Sequence, residues 1–265
     1  MQYEYFAMYC ERYDYCLSII VETLPRRVIV TDDPLRARML SAHHLEYSTL
    51  VYEAGDILVF SGSYKNVPIA LASTGFGSGA ILSYLHELKE LGAAEVVYVG
   101  GCVSTTDRYG LRTLVLAAGG SRGLLRRAST AARLYNIPTT TLTVLSPVGI
   151  HPEEGCAIED SAIEGCAIEG CAIGGSTIDG STIEGNTIEG STIGDSTISG
   201  STIEGHIIDD VTGAFYEQAR ADGIEALTIL TVSENIKTGE KMEEHEKRSR
   251  FYAAARLVFE MLATN

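Results

Sequence analysis

A five-residue unit repeats eleven times between Gly155 and Asp209, and isoleucine holds the same place in every unit. A strand cannot use this period, because side chains alternate faces and successive isoleucines would point to opposite sides. A helix would turn each isoleucine by about 140° and place glycine at nearly every fifth residue, which costs about 1 kcal/mol each relative to alanine. A coil that turns one corner per unit keeps every isoleucine inside.

The residue two places before each isoleucine is nearly always small, as at Cys156, Ser181 and Asn186. This pattern resembles the pentapeptide-repeat family, whose right-handed square β-helix uses four units per coil and turns both positions inward. The repeat therefore predicts a short right-handed β-helix of fewer than three coils. The family prefers Leu or Phe at the centre, and a low-complexity expansion inserted into a loop remains the alternative.

The acidity of the chain is concentrated in this repeat. The net charge is -15, and residues 151–210 hold 13 acidic residues and no Lys or Arg. This segment therefore carries -13, which leaves -2 for the rest of the chain. Phosphate contacts of nucleic-acid-binding proteins require clustered Lys and Arg, so the sequence argues against a nucleic-acid partner.

The six cysteines show no CxxC spacing and do not pair with the six histidines at ligand spacing, so we expect neither a structural metal nor a disulfide framework. No stretch approaches the roughly 18 apolar residues of a membrane span. The first 16 residues are rich in Tyr and charges and lack a signal-peptide pattern. We therefore expect a cytoplasmic protein with no membrane partner.

Outside the repeat, predicted strands and helices alternate, which favours an α/β core with a parallel or mixed sheet. Ligands of such sheets bind at the carboxyl ends of strands, which here are followed by the loops at Asp32-Asp33, Gly75–Gly79, Gly100–Ser104 and Ser233–Asn235. The predicted elements are strand Arg27–Val30, helix Leu35–Ala42, a hairpin of Asp56–Phe60 and Val67–Ser73, helix Ala80–Leu91, strand Val96–Val99 with a tight turn at Gly100-Gly101, strand Leu114–Ala117, helix Leu124–Leu134, strand Thr139–Leu145, helix Thr212–Asp222, strand Ala226–Val232 and a long final helix Glu240–Leu262.

Five segments, by their order and spacing, resemble the nucleoside phosphorylase and uridine phosphorylase family, with the purine nucleoside phosphorylases among its members. They are Asp33–Ala37, Phe60–Lys65, Ser73–Gly77, Val99–Cys102 and Ala226–Glu234. The resemblance covers about residues 27–117 and 206–263. It implies a three-layer α/β/α core with a mixed sheet, formed by residues 27–150 and 206–265. Residues 1–26 are then an N-terminal extension, and residues 151–209 are the repeat insert.

Members of this family cleave the N-glycosidic bond of a nucleoside, with phosphate attacking the sugar carbon. The resemblance therefore implies nucleoside and orthophosphate as ligands, no cofactor, and a homo-oligomer. The phosphate-binding positions correspond to Asp33, Arg36, Gly75 and Gly101. Several positions depart from the family. Those departures are Asp32 in place of a glycine, Tyr98 in place of a second phosphate arginine, Gly101 in place of a Ser or Thr, and Thr49 in place of an arginine lent by a neighbouring subunit.

The nucleoside-binding positions correspond to Cys102, Asp210 and Val211, and the residue that protonates the base corresponds to Glu234. The family's ribose-binding Glu is Val211 here, with Asp210 as a neighbouring substitute, and Asp is usual at position 234. Three functions stay open: a phosphorylase with degraded activity, a nucleosidase in which water replaces phosphate, and a non-catalytic binding protein whose acidic repeat is an interaction surface.

Overall fold

The computed structural model describes residues 21–75, 78–148, 207–249 and 251–264, together with three two-residue strands between residues 173 and 199. The elements in chain order are β1 (Arg27–Thr31), α1 (Pro34–His44), β2 (Glu46–Ala54), β3 (Ile57–Tyr64), β4 (Val67–Ser73), α2 (Ser78–Glu90), β5 (Glu95–Ser104), β6 (Leu114–Ala117), α3 (Arg122–Leu134), β7 (Thr140–Leu142), β8 (Val144–Leu145), β9 (Pro147–Val148), β10 (Ile173–Gly174), β11 (Ile178–Asp179), β12 (Ile198–Ser199), β13 (Ile207–Ile208), α4 (Thr212–Asp222), β14 (Glu225–Asn235), β15 (Glu240–Lys241), α5 (Glu244–Ser249) and α6 (Tyr252–Ala263).

A mixed sheet of 11 strands forms the middle layer, and its main path runs β2-β3-β4-β1-β5-β14-β6-β7. The four central strands β4, β1, β5 and β14 are parallel. Their carboxyl ends therefore meet at one edge, which brings the four predicted ligand loops together. This confirms the predicted α/β fold.

Helices cover both faces of the sheet, and each face has its own apolar core. One core packs α2 and α4 against the sheet through residues such as Leu85 and Phe215. The other packs α1, α3 and α6 through residues such as Leu40, Leu124 and Phe259. The three layers follow from the alternation of strands and amphipathic helices along the chain, because each helix buries its apolar stripe on the sheet.

The helices begin and end where local chemistry requires. Asp33 caps α1, and Pro34 occupies the first turn, where its missing N–H has no helical partner to lose. Ser121 caps α3 by accepting a hydrogen bond from the Leu124 N–H. Helix α4 ends at Gly223, where φ is +67°, and this left-handed conformation favours glycine. The predicted helices at 35–42, 124–134 and 212–222 are confirmed.

The predicted turn at Gly100-Gly101 is wrong, because β5 continues through both glycines to Ser104. Gly100 makes room for a neighbour instead of turning the chain. A Cβ atom at Gly100 would lie 2.4 Å from the Tyr98 hydroxyl oxygen and 2.6 Å from its ring. Because residues two apart share one face of a strand, the Tyr98 ring lies along β5 over the space that Gly100 leaves empty.

The predicted final helix is also wrong. The chain turns at Gly239, where φ is +73°, and forms β15 beside the end of β14 before α5 and α6 begin. The Met242 N–H donates to the Ser233 carbonyl oxygen, which closes this hairpin. Two further differences concern strands: β2 was not predicted, and the single strand at 139–145 is divided between β7 and β8, which pair with different neighbours.

The repeat is described only at its short strands. β11 pairs in parallel with β12, and the register places Ile178 beside Ile198, four repeat units further along the chain. The other residues between 149 and 206, and residues 1–20, lie outside the described part of the chain, so the coil and the N-terminal extension stay predictions. Ile208, the last isoleucine of the repeat, lies in β13 of the main sheet and is buried. None of the helices in the described segments is both long and apolar enough to cross a bilayer.

Candidate functional site

The candidate site lies at the carboxyl edge of the central parallel strands. Asp32 follows β1, Gly75 follows β4, and Gly101 and Cys102 lie near the end of β5. Strand β13 pairs antiparallel with the end of β5, with Ile208 opposite Val103. This pairing places the turn at residues 209–211, just before α4, beside the same edge.

Arg36 is the cation on which the expected phosphate site depends, and its guanidinium is already bound by the protein. The residue is 5% exposed, and its side chain stacks on the Phe251 ring with 4.3 Å from Cζ to the ring centroid. Nη2 donates to the Lys247 carbonyl oxygen at 3.0 Å. The acceptors of Nη1 are the Thr31 hydroxyl at 2.9 Å, the Val99 carbonyl at 3.5 Å and the Asp32 carboxylate.

Asp32, at the place where the resemblance expects glycine, forms a partly buried ion pair with Arg36. Its carboxylate supplies the negative charge that orthophosphate would otherwise bring to the guanidinium. Nε of Arg36 is buried and has no hydrogen-bond partner within the described segments. The planar fork that makes arginine a bidentate anion ligand is therefore occupied on its Nη side.

Asp33 and Gly75 both have local structural tasks at this edge. The Asp33 carboxylate accepts hydrogen bonds from the N–H groups of Leu35 at 2.7 Å and Arg36 at 3.3 Å, and so caps α1. Gly75 adopts φ +80° directly after β4, a conformation that side chains disfavour. Residues 76 and 77 of the predicted glycine loop lie outside the described residues.

Tyr98 stands in place of the second phosphate arginine and is only 2% exposed. Its ring packs 6.1 Å from the Phe215 ring, measured between centroids. Burial raises the pKa of the Tyr98 hydroxyl well above its usual value, and the charges of Asp32 and Asp209 raise it further.

Two carboxyl groups follow β13. Asp209 is buried, and its Oδ2 accepts from the Thr212 N–H at 2.7 Å, the Thr212 hydroxyl at 2.6 Å and the Val211 N–H at 3.3 Å. Burial raises the pKa of Asp209 to about 7, and the charge of Asp210 contributes. Burial likewise raises the pKa of Asp210, and the charge of Asp32 adds to the shift. Asp32, Asp209 and Asp210 therefore form one acidic cluster.

The remaining predicted positions, Val211 and Cys102 for the nucleoside and Gly101 for phosphate, are apolar or lack a side chain. Val211 is buried and cannot accept a hydrogen bond from ribose through its side chain. Cys102 is buried in β5, and burial raises the pKa of its thiol well above the usual value, with the charge of Asp209 as a second cause. At Gly101, a Cβ atom would lie 3.1 Å from the Ser233 hydroxyl and 3.5 Å from the Phe251 ring.

Glu234 lies at the end of β14, after a bulge that shifts the register between Val232 and Glu234. Its Oε1 is 2.6 Å from the Lys241 ammonium on β15. This ion pair holds the carboxylate at the β14–β15 hairpin. The sequence pattern did not reveal Lys241 as a neighbour, because it placed that residue in a helix.

No family model matches the chain. The chain is similar in sequence to proteins named "Purine nucleoside phosphorylase DeoD-type". It is 25% identical over 245 residues to the one from Aliivibrio salmonicida, which covers 84% of this chain and 87% of the relative. It is 23% identical over 236 residues to the one from Alkaliphilus metalliredigens, covering 88% and 93%.

A solved structure shares the fold. The purine nucleoside phosphorylase from Toxoplasma gondii, in complex with immucillin-H, superposes with a TM-score of 0.65 at 14% identity and covers 91% of this chain and 92% of that one. The likeness agrees with the α/β layers and the sheet described above. In sequence the chain is thus similar to the DeoD-type purine nucleoside phosphorylases, and it shares the fold of a nucleoside phosphorylase.

Proposed function

We propose that this chain binds a nucleoside and has strongly degraded phosphorolytic activity toward the N-glycosidic bond. The observation that carries this proposal is the partly buried ion pair between Arg36 and Asp32. A bound orthophosphate would have to replace Asp32 at the guanidinium while remaining close to the acidic cluster. The names of the DeoD-type relatives favour a purine nucleoside as the ligand.

The expected loss of rate is large. A hydrogen bond to a charged group contributes about 1.5–3 kcal/mol. The resemblance assigns an arginine to position 98, a hydroxyl side chain to position 101 and a carboxylate to position 211. Tyr98, Gly101 and Val211 do not supply these groups. Since each 1.36 kcal/mol of lost transition-state stabilisation lowers the rate about tenfold, several such losses amount to several powers of ten.

A panel of inosine, adenosine, guanosine and uridine, each with and without orthophosphate, tests this proposal. We expect base release to be slow throughout and to rise little when phosphate is added. Binding of at least one nucleoside should be measurable by calorimetry. Rapid, phosphate-dependent base release would contradict the proposal.

Replacing Asp32 by the glycine that the resemblance assigns to this position should release Arg36. Because the freed Nη groups can then bind phosphate, we expect Asp32→Gly to raise phosphate-dependent base release at least tenfold, about 1.4 kcal/mol of transition-state stabilisation. Asp56→Gly, in the exposed turn between β2 and β3, is the matched control. An unchanged phosphate response in Asp32→Gly would show that the ion pair does not limit activity.

The acidic cluster favours a nucleosidase-type hydrolase as the second candidate. A carboxylate with a pKa near 7, such as Asp209, can take a proton from an attacking water at neutral pH. Phosphate-independent base release that falls in Asp209→Asn or Asp210→Asn would support this reaction. Nucleoside binding with no release under any condition would instead support the non-catalytic alternative.

We also propose that the chain forms a homo-oligomer, as the resemblance implies. Strand β2 lies at the edge of the sheet, and its first five residues are exposed, including Tyr47 at 91%. An exposed edge strand of this kind offers unpaired backbone groups to another chain. Light scattering during size-exclusion chromatography should show more than one subunit, and Tyr47→Asp should reduce the assembly. A monomer at all concentrations would contradict this expectation.

A further inference from the structure

The solvent side of helix α3 carries a row of arginines. Arg122, Arg126 and Arg133 are all exposed. Because an α-helix turns roughly 100° per residue, these three positions lie within about 40° of one another around the helix axis. The row extends about 16 Å along the helix, at a rise of roughly 1.5 Å per residue. The outer face of α3 therefore presents a line of positive charge to solvent.

Few negative charges lie close to this row. Arg127, on the flank of the helix, is paired with Glu95 at 2.8 Å. Within the described segments, none of the three row arginines forms an ion pair with a carboxylate. Arg133 donates only to a backbone carbonyl oxygen one turn earlier. Glu225 approaches the start of the helix, where it accepts a hydrogen bond from the Ser121 hydroxyl at 3.0 Å.

A fourth arginine continues the row from α6. Tyr135 directly follows α3, and the guanidinium carbon of Arg256 lies 5.5 Å from the centroid of the Tyr135 ring. Arg256 is exposed and has no carboxylate partner in the part of the chain that the structure describes. Lys65, also beside Tyr135, is neutralised by Glu260 at 2.6 Å. The three arginines of α3 and Arg256 together form what we name the arginine surface.

These charges disfavour the helix that carries them. Arg122 and Arg126 are four residues apart, and like charges at this spacing destabilise a helix. Arg122 also lies in the first turn, where the helix dipole favours negative charge. The sequence of α3 contains no Asp or Glu to offset these effects. A polyanion bound along the outer face of α3 would offset them.

The chain itself carries a polyanion. Residues 151–210 contribute a charge of -13, and the rest of the chain contributes only -2. We name residues 155–206, which hold nine of these acidic groups and no Lys or Arg, the acidic segment. The residue after the isoleucine is Asp or Glu in seven of its ten units, so negative charge recurs along the whole segment. The acidic segment meets no comparable repulsion from the remainder of the chain.

The fold favours the acidic segment of a second copy over that of the same copy. Val144 and Ile207, on the strands that flank the segment, pack in the apolar core on the α4 face of the sheet. Helix α3 packs on the opposite face through Leu124, so the arginine surface faces away from the sheet on that side. The segment of the same copy would have to pass around the edge of the sheet. A second copy can approach α3 directly from solvent.

We propose that the arginine surface binds the acidic segment of a second copy of this chain. The surface and the segment are different parts of each copy, so the contact is heterologous and can link more than two subunits. It is separate from the contact proposed for the β2 edge. Exposed ion pairs contribute little one at a time, so this association needs several of them together and weakens as salt screens the charges.

Sedimentation velocity of the full chain tests the association. Every sample carries Tyr47→Asp, which limits the contribution of the β2 edge. We expect the association to weaken at least tenfold between about 50 and about 500 mM NaCl. The triple variant Arg122→Gln, Arg126→Gln, Arg133→Gln should associate at least tenfold more weakly at low salt and lose most of the salt dependence. Arg220→Gln, at an exposed position of α4 on the other face of the sheet, is the matched control and should change neither.

Crosslinking identifies the occupant of the arginine surface. Arg126→Lys keeps the positive charge and adds a primary amine, which a zero-length carbodiimide joins to a carboxylate in direct contact. In a mixture of nitrogen-15-labelled and unlabelled chains, peptides of mixed isotope report contacts between copies. We expect mixed-isotope peptides that join position 126 to Asp or Glu residues of the acidic segment. Arg220→Lys should form no link to that segment.

Each result of these experiments decides the proposal. Links from position 126 to the acidic segment within one copy only would overturn the choice of a second copy as partner. Absence of links to this segment, or unchanged association in the triple variant, would overturn the arginine surface as its binding site. Circular dichroism shows whether each variant is folded. If the triple variant is not folded, the Arg126→Lys crosslinks decide alone, because that substitution preserves the charge.

Discussion

Gly100→Ala is expected to destabilise the folded protein by about 3 kcal/mol, the upper part of the range for overpacked cores. The added methyl group would lie 2.4 Å from the Tyr98 hydroxyl oxygen, well inside van der Waals contact. The ring cannot simply move aside, because it is buried on the face where Phe215 packs against it. Either the backbone of β5 or the layer between β5 and α4 must shift.

A double-mutant cycle assigns this cost to one contact. Tyr98→Leu shortens the side chain, so Gly100→Ala should cost much less in that background, and the coupling energy is the difference between the two costs. Gly110→Ala is the control, since a Cβ atom there would meet no neighbouring atom within 4 Å. Urea denaturation measures all variants. Equal costs in both backgrounds would show that Tyr98 does not set the requirement for glycine.

The same pair of residues explains why part of the fold could not be predicted. Two adjacent glycines usually indicate a turn, and only the position of the Tyr98 ring reveals why a strand uses them. Strand β2 was missed for a different reason. Its first half is exposed on both faces, so the alternation of apolar and polar residues that predicts a strand is absent. The strands and helices with a clear apolar pattern, such as β1 and α4, were predicted correctly.

The location of the site was more predictable than its contents. Loops after neighbouring parallel strands meet at one edge whatever their sequence, so the positions of Asp32 and Gly101 followed from the strand pattern. The sequence also showed a carboxylate beside the expected anion site. It could not show that the Val99 and Lys247 carbonyl oxygens, 63 and 211 residues away from Arg36, complete the coordination of the guanidinium. Contacts of this kind depend on the packing of the whole domain.

Asp209 illustrates the same limit, because in the sequence it continues the acidic positions of the repeat. In the fold it is buried, and its pKa is raised to about 7. A raised pKa of an acid means that the folded state holds the proton more tightly than the unfolded state does. The contribution of Asp209 to stability is thus complete below its ordinary pKa of 3.8 and is lost as the pH rises through about 7.

Asp209→Asn should therefore become progressively more stabilising, relative to the parent protein, as the pH rises from 5 to 8. Asparagine stays neutral, and its side-chain oxygen can still accept the hydrogen bonds from Thr212 that begin α4. At 1.36 kcal/mol per pKa unit, the difference in unfolding free energy should grow by about 2–3 kcal/mol over this range. Urea denaturation at a series of pH values measures it, with Asp56→Asn correcting for the loss of one carboxylate. A difference that stays constant with pH would mean that Asp209 is ionised in the fold at pH 5, and that the hydrogen bonds from Thr212 and Val211 outweigh the effect of burial on its pKa.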